Sequence, residues 1–188
     1  PLYEKHAALG GRLVPFCGWE LPVRYGEIND EHRRVREQAG LFDVSHMGEI
    51  DVRGAQAADA LNHLLCNDVR ALYPGKAQYS AITNPEGGLV DDIIVYMRAA
   101  DHFMLCVNAA NTAKDFAWLC EHNRFDVEMR NISAELGQLA VQGPAACALV
   151  ASLCPEIAAH GVKRFHFIET TLAGVRLTAA RTGYTGED

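Results

Sequence analysis

The chain has 188 residues, 49% of them hydrophobic, with 17 basic and 24 acidic side chains and a net charge of -7. That length allows a sizeable core in one domain or two small ones, and the acidic balance argues against a partner bound through its phosphate backbone, so nucleic acid is not expected. No window approaches the ~18 consecutive apolar residues of a membrane span, and no basic-then-apolar leader stands at the start, so no membrane association is expected either.

In chain order, Leu2 to Leu9 reads as a short helix stopped by Gly10 and Gly11. An extended piece, Arg12 to Phe16, leads into an aromatic stretch from Cys17 to Gly26 that reads as a loop. Trp19 in that loop either lines a ligand or partner site or plugs a domain edge. Asn29 or Asp30 is expected to cap a largely polar helix running to Ala39, with Gly40 as its stop. Glu49 to Arg53 alternates polar and apolar residues as a half-buried strand does. Ala58, Leu61, Leu64 and Leu65 then recur at the spacing of an amphipathic helix that needs a sheet to pack on.

Pro74-Gly75 introduces a strand from Ala77 to Thr83, and Asn84-Pro85-Glu86-Gly87-Gly88 supplies the turn into Leu89 to Met97. His102 to Val107 is a continuous apolar run of strand length, which predicts a three-strand meander. A helix capped by Asn111 or Thr112 follows, then extended segments at 125–129 and 136–142, with Pro144 suited to the first position of a small, apolar helix to Leu153. Two more extended segments, Arg164 to Glu169 and Val175 to Ala180, precede a glycine-punctuated end. Strands in runs, with helices between them and no regular βαβ alternation, predict an α+β fold of mainly antiparallel sheets with flanking helices.

The most informative stretch is Gly87-Gly88-Leu89-Val90-Asp91-Asp92-Ile93-Ile94-Val95-Tyr96-Met97. In a strand, Asp92, Ile94 and Tyr96 share one face, while Asp91, Ile93, Val95 and Met97 share the other. Each carboxylate therefore has apolar neighbours, and burying one without a partner costs several kcal/mol or raises its pKa. The two residues either end the turn facing water, or one of them acts on a ligand. Elsewhere the chain carries no G-x-G-x-x-G, no phosphate-binding loop and no H-E-x-x-H. Ser45-His46 is weak as a nucleophile and base because sequence neighbours point apart in a strand. The six cysteines are scattered without metal-ligand spacing, so reduced thiols and no metal are expected.

Seven separated stretches carry a resemblance. They are Pro1-Leu2-Tyr3, Phe16-Cys17-Gly18-Trp19 with Leu21-Pro22-Val23, Leu41-Phe42-Asp43-Val44-Ser45-His46-Met47, Gly87-Gly88-Leu89-Val90-Asp91-Asp92, Val107-Asn108-Ala109-Ala110, Val141-Gln142-Gly143-Pro144 and Thr182-Gly183-Tyr184-Thr185-Gly186-Glu187. In this order they resemble the aminomethyltransferase, or T protein, of the glycine cleavage system. The resemblance implies a tetrahydrofolate-dependent transferase. It would take the aminomethyl group from the lipoyl arm of H protein, release ammonia and form 5,10-methylenetetrahydrofolate, in the bacterial cytoplasm or the mitochondrial matrix.

The resemblance assigns Asp92, not Asp91, as the catalytic carboxylate. It also implies a folate cavity lined by Met47, Tyr79, Asp92, Cys106, Asn108 and Tyr184, and two interleaved subdomains around a central channel, at 1–52 with 136–188 and at 53–135. The family's chains are longer, with a folate-binding glutamate, an arginine-bearing segment and a C-terminal barrel after the last motif matched. A folate-binding assembly or regulatory module and a folate-dependent demethylase relative are the alternatives the same resemblance leaves open.

Overall fold

The structure, a computed structural model, describes residues 1–183, 185 and 186. Its elements in chain order are α1 (Tyr3–Ala8), β1 (Arg12–Phe16), β2 (Trp19–Arg24), α2 (Ile28–Glu37), β3 (Gly40–Asp43), β4 (Gly48–Arg53), α3 (Ala57–Leu64), β5 (Ala77–Thr83), β6 (Leu89–Ala99), β7 (His102–Val107), α4 (Thr112–His122), β8 (Glu128–Asn131), β9 (Leu139–Gln142), α5 (Ala146–Leu153), α6 (Pro155–His160), β10 (Phe167–Leu172) and β11 (Val175–Ala180). The chain divides into two compact units, one of Pro1–His46, Gly137–Val162 and Ile168–Asp188, the other of Met47–Leu136 and Lys163–Phe167.

The second unit is built on a five-stranded sheet in the order β5-β6-β7-β4-β8. All its neighbouring strands run antiparallel, so the expected meander β5-β6-β7 is extended by β4 and β8. One face turns Ile50, Val52, Ile82, Ile93, Val95, Phe103, Leu105 and Val107 into a core that includes Leu61 and Leu64 of α3 and Leu119 of α4. This is the burial that the period-2 and helical patterns call for. Gly48 is required where β4 meets α4, because a side chain there would run into Thr112 and Val107. The strand β4 departs from the half-buried expectation: its polar residues Glu49 and Asp51 are 5% and 3% exposed, so both of its faces are covered. Pairing with β7 and β8 places the whole of β4 in this unit, and the division falls ahead of Met47.

The first unit contains three two-stranded pairs, β1 with β2, β3 with β9 and β10 with β11. The stretch after Phe16, expected to be a loop, is a hairpin arm. Cys17 and Gly18 both take positive φ, 51° and 81°, which is the backbone of a two-residue hairpin turn. Pro22 is tolerated because a two-stranded ribbon leaves amide positions that need no partner. The helix α2 starts before its expected cap, with Asn29 and Asp30 inside the first turn, and Glu31 Oε1 instead accepts the backbone N–H groups of Tyr25 and Gly26.

Pro144 precedes the Ala145 cap of α5 rather than opening the helix. The helix α6, absent from the sequence reading, has Pro155 in its first turn and left-handed Gly161 (φ 54°) as its stop, both ordinary helix punctuation. The strand β10 begins at Phe167, not Arg164, because Phe165 has φ 55° and breaks the extension.

Candidate functional site

The head of β6 carries both carboxylates, and the strand's pleat separates them. Asp91 pairs across to Ile82 and Asp92 to Ala81, after which the register shifts so that Thr83 meets Leu89 and Val90 is the extra residue. Bulges of this kind re-aim side chains and recur beside active sites. The Val90 carbonyl, displaced from the ladder, accepts the Lys114 ammonium of α4 at 2.6 Å. Asp91 goes to the core face with Ile93 and Val95, and Asp92 to the opposite face with Ile94 and Tyr96.

Asp92 is exposed and held by two neutral groups. The Tyr79 hydroxyl of β5 donates to Asp92 Oδ2 at 3.0 Å. That bond, and the negative charge it meets, push the Tyr79 phenol above its ordinary pKa. The Asn108 amide, just beyond β7, has three acceptors in reach: Asp91 Oδ1 at 3.0 Å, the Asp92 carbonyl at 3.0 Å and Asp92 Oδ1 at 3.2 Å. Asn108 thus ties the two faces together at the strand end. Burial works to raise the Asp91 pKa, but hydrogen bonds with Asp115, Asn108 and Asn111 outweigh it and leave the group below the usual carboxylate value.

The sheet register lays Tyr79, Ile94, Cys106 and Glu49 in one row across β5, β6, β7 and β4, on the Asp92 face. Cys106 is 7% exposed and belongs to an apolar cluster with Ala77, Tyr96, Met104 and Phe167, against which Met47 and Ile94 pack. Beyond that floor Glu49 has no side-chain hydrogen-bond partner among the described residues, and burial pushes its pKa up to about 7. Asp51, next along the same face, is the opposite case. It receives Arg53 Nε at 2.5 Å and His102 Nε2 at 2.6 Å, with Arg98 at 4.0 Å. Burial works to raise its pKa, but the hydrogen bonds and charges of Arg53 and His102 outweigh it, so Asp51 is held below the usual carboxylate value and is internally satisfied.

An exposed carboxylate with a neighbouring phenol and amide, beside a floor of Met47, Ile94 and Cys106, can do two things. It can accept N–H groups of a flat heteroaromatic ligand lying on the apolar strip, and it can take a proton from an amine held there. Met47, Tyr79, Asp92, Cys106 and Asn108 all belong to the second unit; Tyr184, expected in the same cavity, lies outside the described residues.

Ser45 and His46 form no reactive pair. The Ser45 hydroxyl is engaged with the Gln138 backbone, while the His46 ring stands edge-on to Phe16 and burial lowers its pKa against the pull of Asp43. No disulfide joins any of the six cysteines. Among the described residues no group of three or more His, Cys, Asp or Glu side chains is arranged to hold a metal, and no helix is long and apolar enough to cross a membrane.

Sequence reasoning missed Lys114 and Asp115, which reach β6 from α4. A signal was present: Asp115 interrupts the apolar face that Leu119 continues one turn later, and an acidic residue on a buried helical stripe needs a partner.

Comparison with known proteins bears on the fold and the family. The chain is 48% identical to an aminomethyltransferase of Anoxybacillus flavithermus and 47% identical to one of Geobacillus kaustophilus, each match covering 100% of this chain and 52% of the relative. The chain therefore spans about half the length of the curated relatives it matches. The crystal structure of glycine cleavage system aminomethyltransferase T from Bartonella henselae superposes with a TM-score of 0.86 at 34% identity, over 100% of this chain and 51% of that one. A heterotetrameric sarcosine oxidase from Corynebacterium sp. U-96 shares the fold at a TM-score of 0.56 and 18% identity, covering 82% of this chain and 77% of that one. The fold is the α+β arrangement of open antiparallel sheets and helices seen in that aminomethyltransferase. With a family match running from residue 2 to residue 188, the chain belongs to the GCVT N-terminal domain family.

Proposed function

We propose that this chain is the folate-binding half of an aminomethyltransferase of glycine cleavage, an enzyme that moves an aminomethyl group from the lipoyl arm of H protein to tetrahydrofolate. Ammonia leaves and 5,10-methylenetetrahydrofolate forms. The observation that carries this reading is the Asp92 carboxylate, exposed at the head of β6 and steadied by Tyr79 and Asn108 beside an apolar floor. Tetrahydrofolate, when bound, supplies the nucleophilic amine nitrogen. Asp92 holds that amine by its N–H and takes the proton as the new carbon–nitrogen bond forms, which requires a carboxylate within about 3 Å of the nitrogen. Met47, Ile94 and Cys106 offer one face of the ring an apolar surface, and Tyr79 and Asn108 keep the carboxylate aimed.

The test uses a chain of the relatives' full length with aminomethylated H protein and tetrahydrofolate. Asp92→Asn should lower the rate of ammonia release by ~10²–10⁴, the usual cost of removing a positioned acid-base group. Asp91→Asn should be much milder, because Asp91 faces the core. Equal losses in the two variants would reject Asp92 as the reacting group. Folate binding without any transfer in the unaltered chain would favour a regulatory or assembly module.

A further inference from the structure

Behind the Asp92 face lies a second acidic pair that the transfer reaction does not itself require. Asp115, on the first turn of α4, is 0% exposed, and the one cationic nitrogen beside it among the described residues is the ammonium of its neighbour Lys114, 3.3 Å from Oδ1. Its carboxyl is also in side-chain hydrogen-bond contact with Asp91, and that contact outweighs the pull of Lys114. Two carboxyl groups in hydrogen-bond contact need a proton between them, since two ionised oxygens would only repel. Asp91 also accepts from Asn108 and is hydrogen-bonded to Asn111, so its neighbours stabilise the ionised form there. The proton therefore sits on Asp115, whose pKa burial raises to about 7, with the bond to Asp91 and its charge adding to the effect.

We propose that Asp115 is a positioning residue of the Asp92 site: its carboxyl O–H donates to Asp91, Asp91 fixes the Asn108 amide, and that amide sets the Asp92 carboxylate. The chain of contacts crosses the sheet from the helix side to the exposed face without touching a ligand. It rests on the proposed transfer reaction only for what Asp92 does. The charged groups that face Asp115 are Asp91 from β6 and its own neighbour Lys114, whose ammonium stands 3.3 Å from Asp115 Oδ1 and also binds the Val90 carbonyl. From β4, the strand packed against α4, Ile50 and Val52 face the core while Glu49 and Asp51 lie on the opposite face. As pH rises through about 7, Asp115 loses its proton, its donor disappears, and two anions oppose each other under Asn108.

The experiment follows ammonia release against pH, from 6 to 9, in a chain of the relatives' full length. The unaltered enzyme should lose rate across neutral pH, and Asp115→Asn, whose amide donates at every pH, should lose that decline. Asp115→Leu should lower kcat about tenfold, the effect of one lost hydrogen bond of ~1.4 kcal/mol, with the folate KM held within about twofold.

Infrared spectroscopy provides a readout that needs no turnover and that a destabilised leucine variant does not affect. In a Glu49→Gln background, which removes the other carboxyl held neutral at pH 6, the C=O band of a protonated carboxyl should vanish in Asp115→Asn and persist in Asp92→Asn. An unchanged alkaline decline in Asp115→Asn, or a carboxyl band that survives the substitution in the Glu49→Gln background, would overturn the proposal. If Asp92→Asn transfers normally the proposed reaction fails instead, and the infrared comparison still decides where the proton lies.

Discussion

The two faces of the five-stranded sheet are made from the same five strands and do opposite work. The face under α3 and α4 is closed by aliphatic and aromatic side chains, with Phe103, Ile50, Leu105 and Val95 all fully buried. The other face alternates apolar residues with carboxylates in three different states: Asp92 exposed, Glu49 buried without a side-chain partner among the described residues, and Asp51 buried against Arg53 and His102. The pleat separates packing from chemistry residue by residue along β6. What the contrast teaches is that a carboxylate's neighbours, more than its burial, decide what it can do. Asp51 and Glu49 are almost equally covered, yet one is held ionised and the other is held near neutrality.

The comparison breaks most severely on the packed face. Phe103→Ala removes a fully buried ring from the second position of β7 and should cost about 3–5 kcal/mol of stability in this unit. Met104→Ala, the next residue but on the other face, should cost less because its smaller side chain lies in a smaller apolar cluster. Urea unfolding can follow the second unit alone by Trp118, which packs on the core, if Trp19, the other tryptophan, is replaced by phenylalanine. Equal losses would mean that the two faces carry equal packing energy.

The pleat of β6, the turn at Asn84 to Gly88 and the order of the three central strands were legible because each rests on local periodicity and turn chemistry. The division of labour between Asp91 and Asp92 was legible as two faces, but which face reacts came only from the resemblance. Three features were not legible. Glu49 reads as a solvent-facing residue of an alternating strand, because nothing local says that this face of β4 will be buried. Asp115 meets Asp91 through a contact between residues 24 apart, set by how α4 returns over the sheet. The β2 hairpin was hidden by Pro22, since the positive φ at Cys17, unusual for a residue with a side chain, gives no compositional signal.

Glu49 gives the next test, through pH. Its folded pKa is raised from 4.5 to about 7 by burial, so between those values the folded state binds a proton that the unfolded chain releases. Stability therefore falls as pH climbs from about 4.5 to about 7 and stays low above that. Glu49→Gln, neutral throughout, should be more stable than the unaltered chain at pH 8 by ~1–3 kcal/mol and no different at pH 4. Unfolding measured at the two pH values checks it. A variant equally stabilised at both would show that the gain comes from packing and not from a proton.

The smallest effect is expected at Tyr79, and it separates the faces most cleanly. The ring is 55% exposed and contributes little burial, so Tyr79→Phe should leave stability within about 0.5 kcal/mol. What it removes is the hydroxyl that donates to Asp92 Oδ2, leaving Asn108 as the one side chain that still orients the carboxylate among the described residues. A hydrogen bond at an exposed site, partly replaced by water, is worth about 1 kcal/mol, so transfer to folate should slow by roughly three- to tenfold. Steady-state ammonia release and urea unfolding on the same variant supply both numbers. A loss of stability with an unchanged rate would place Tyr79 with the packed face, and would leave Asn108, anchored through Asp91 and Asp115, as the side chain that aims Asp92.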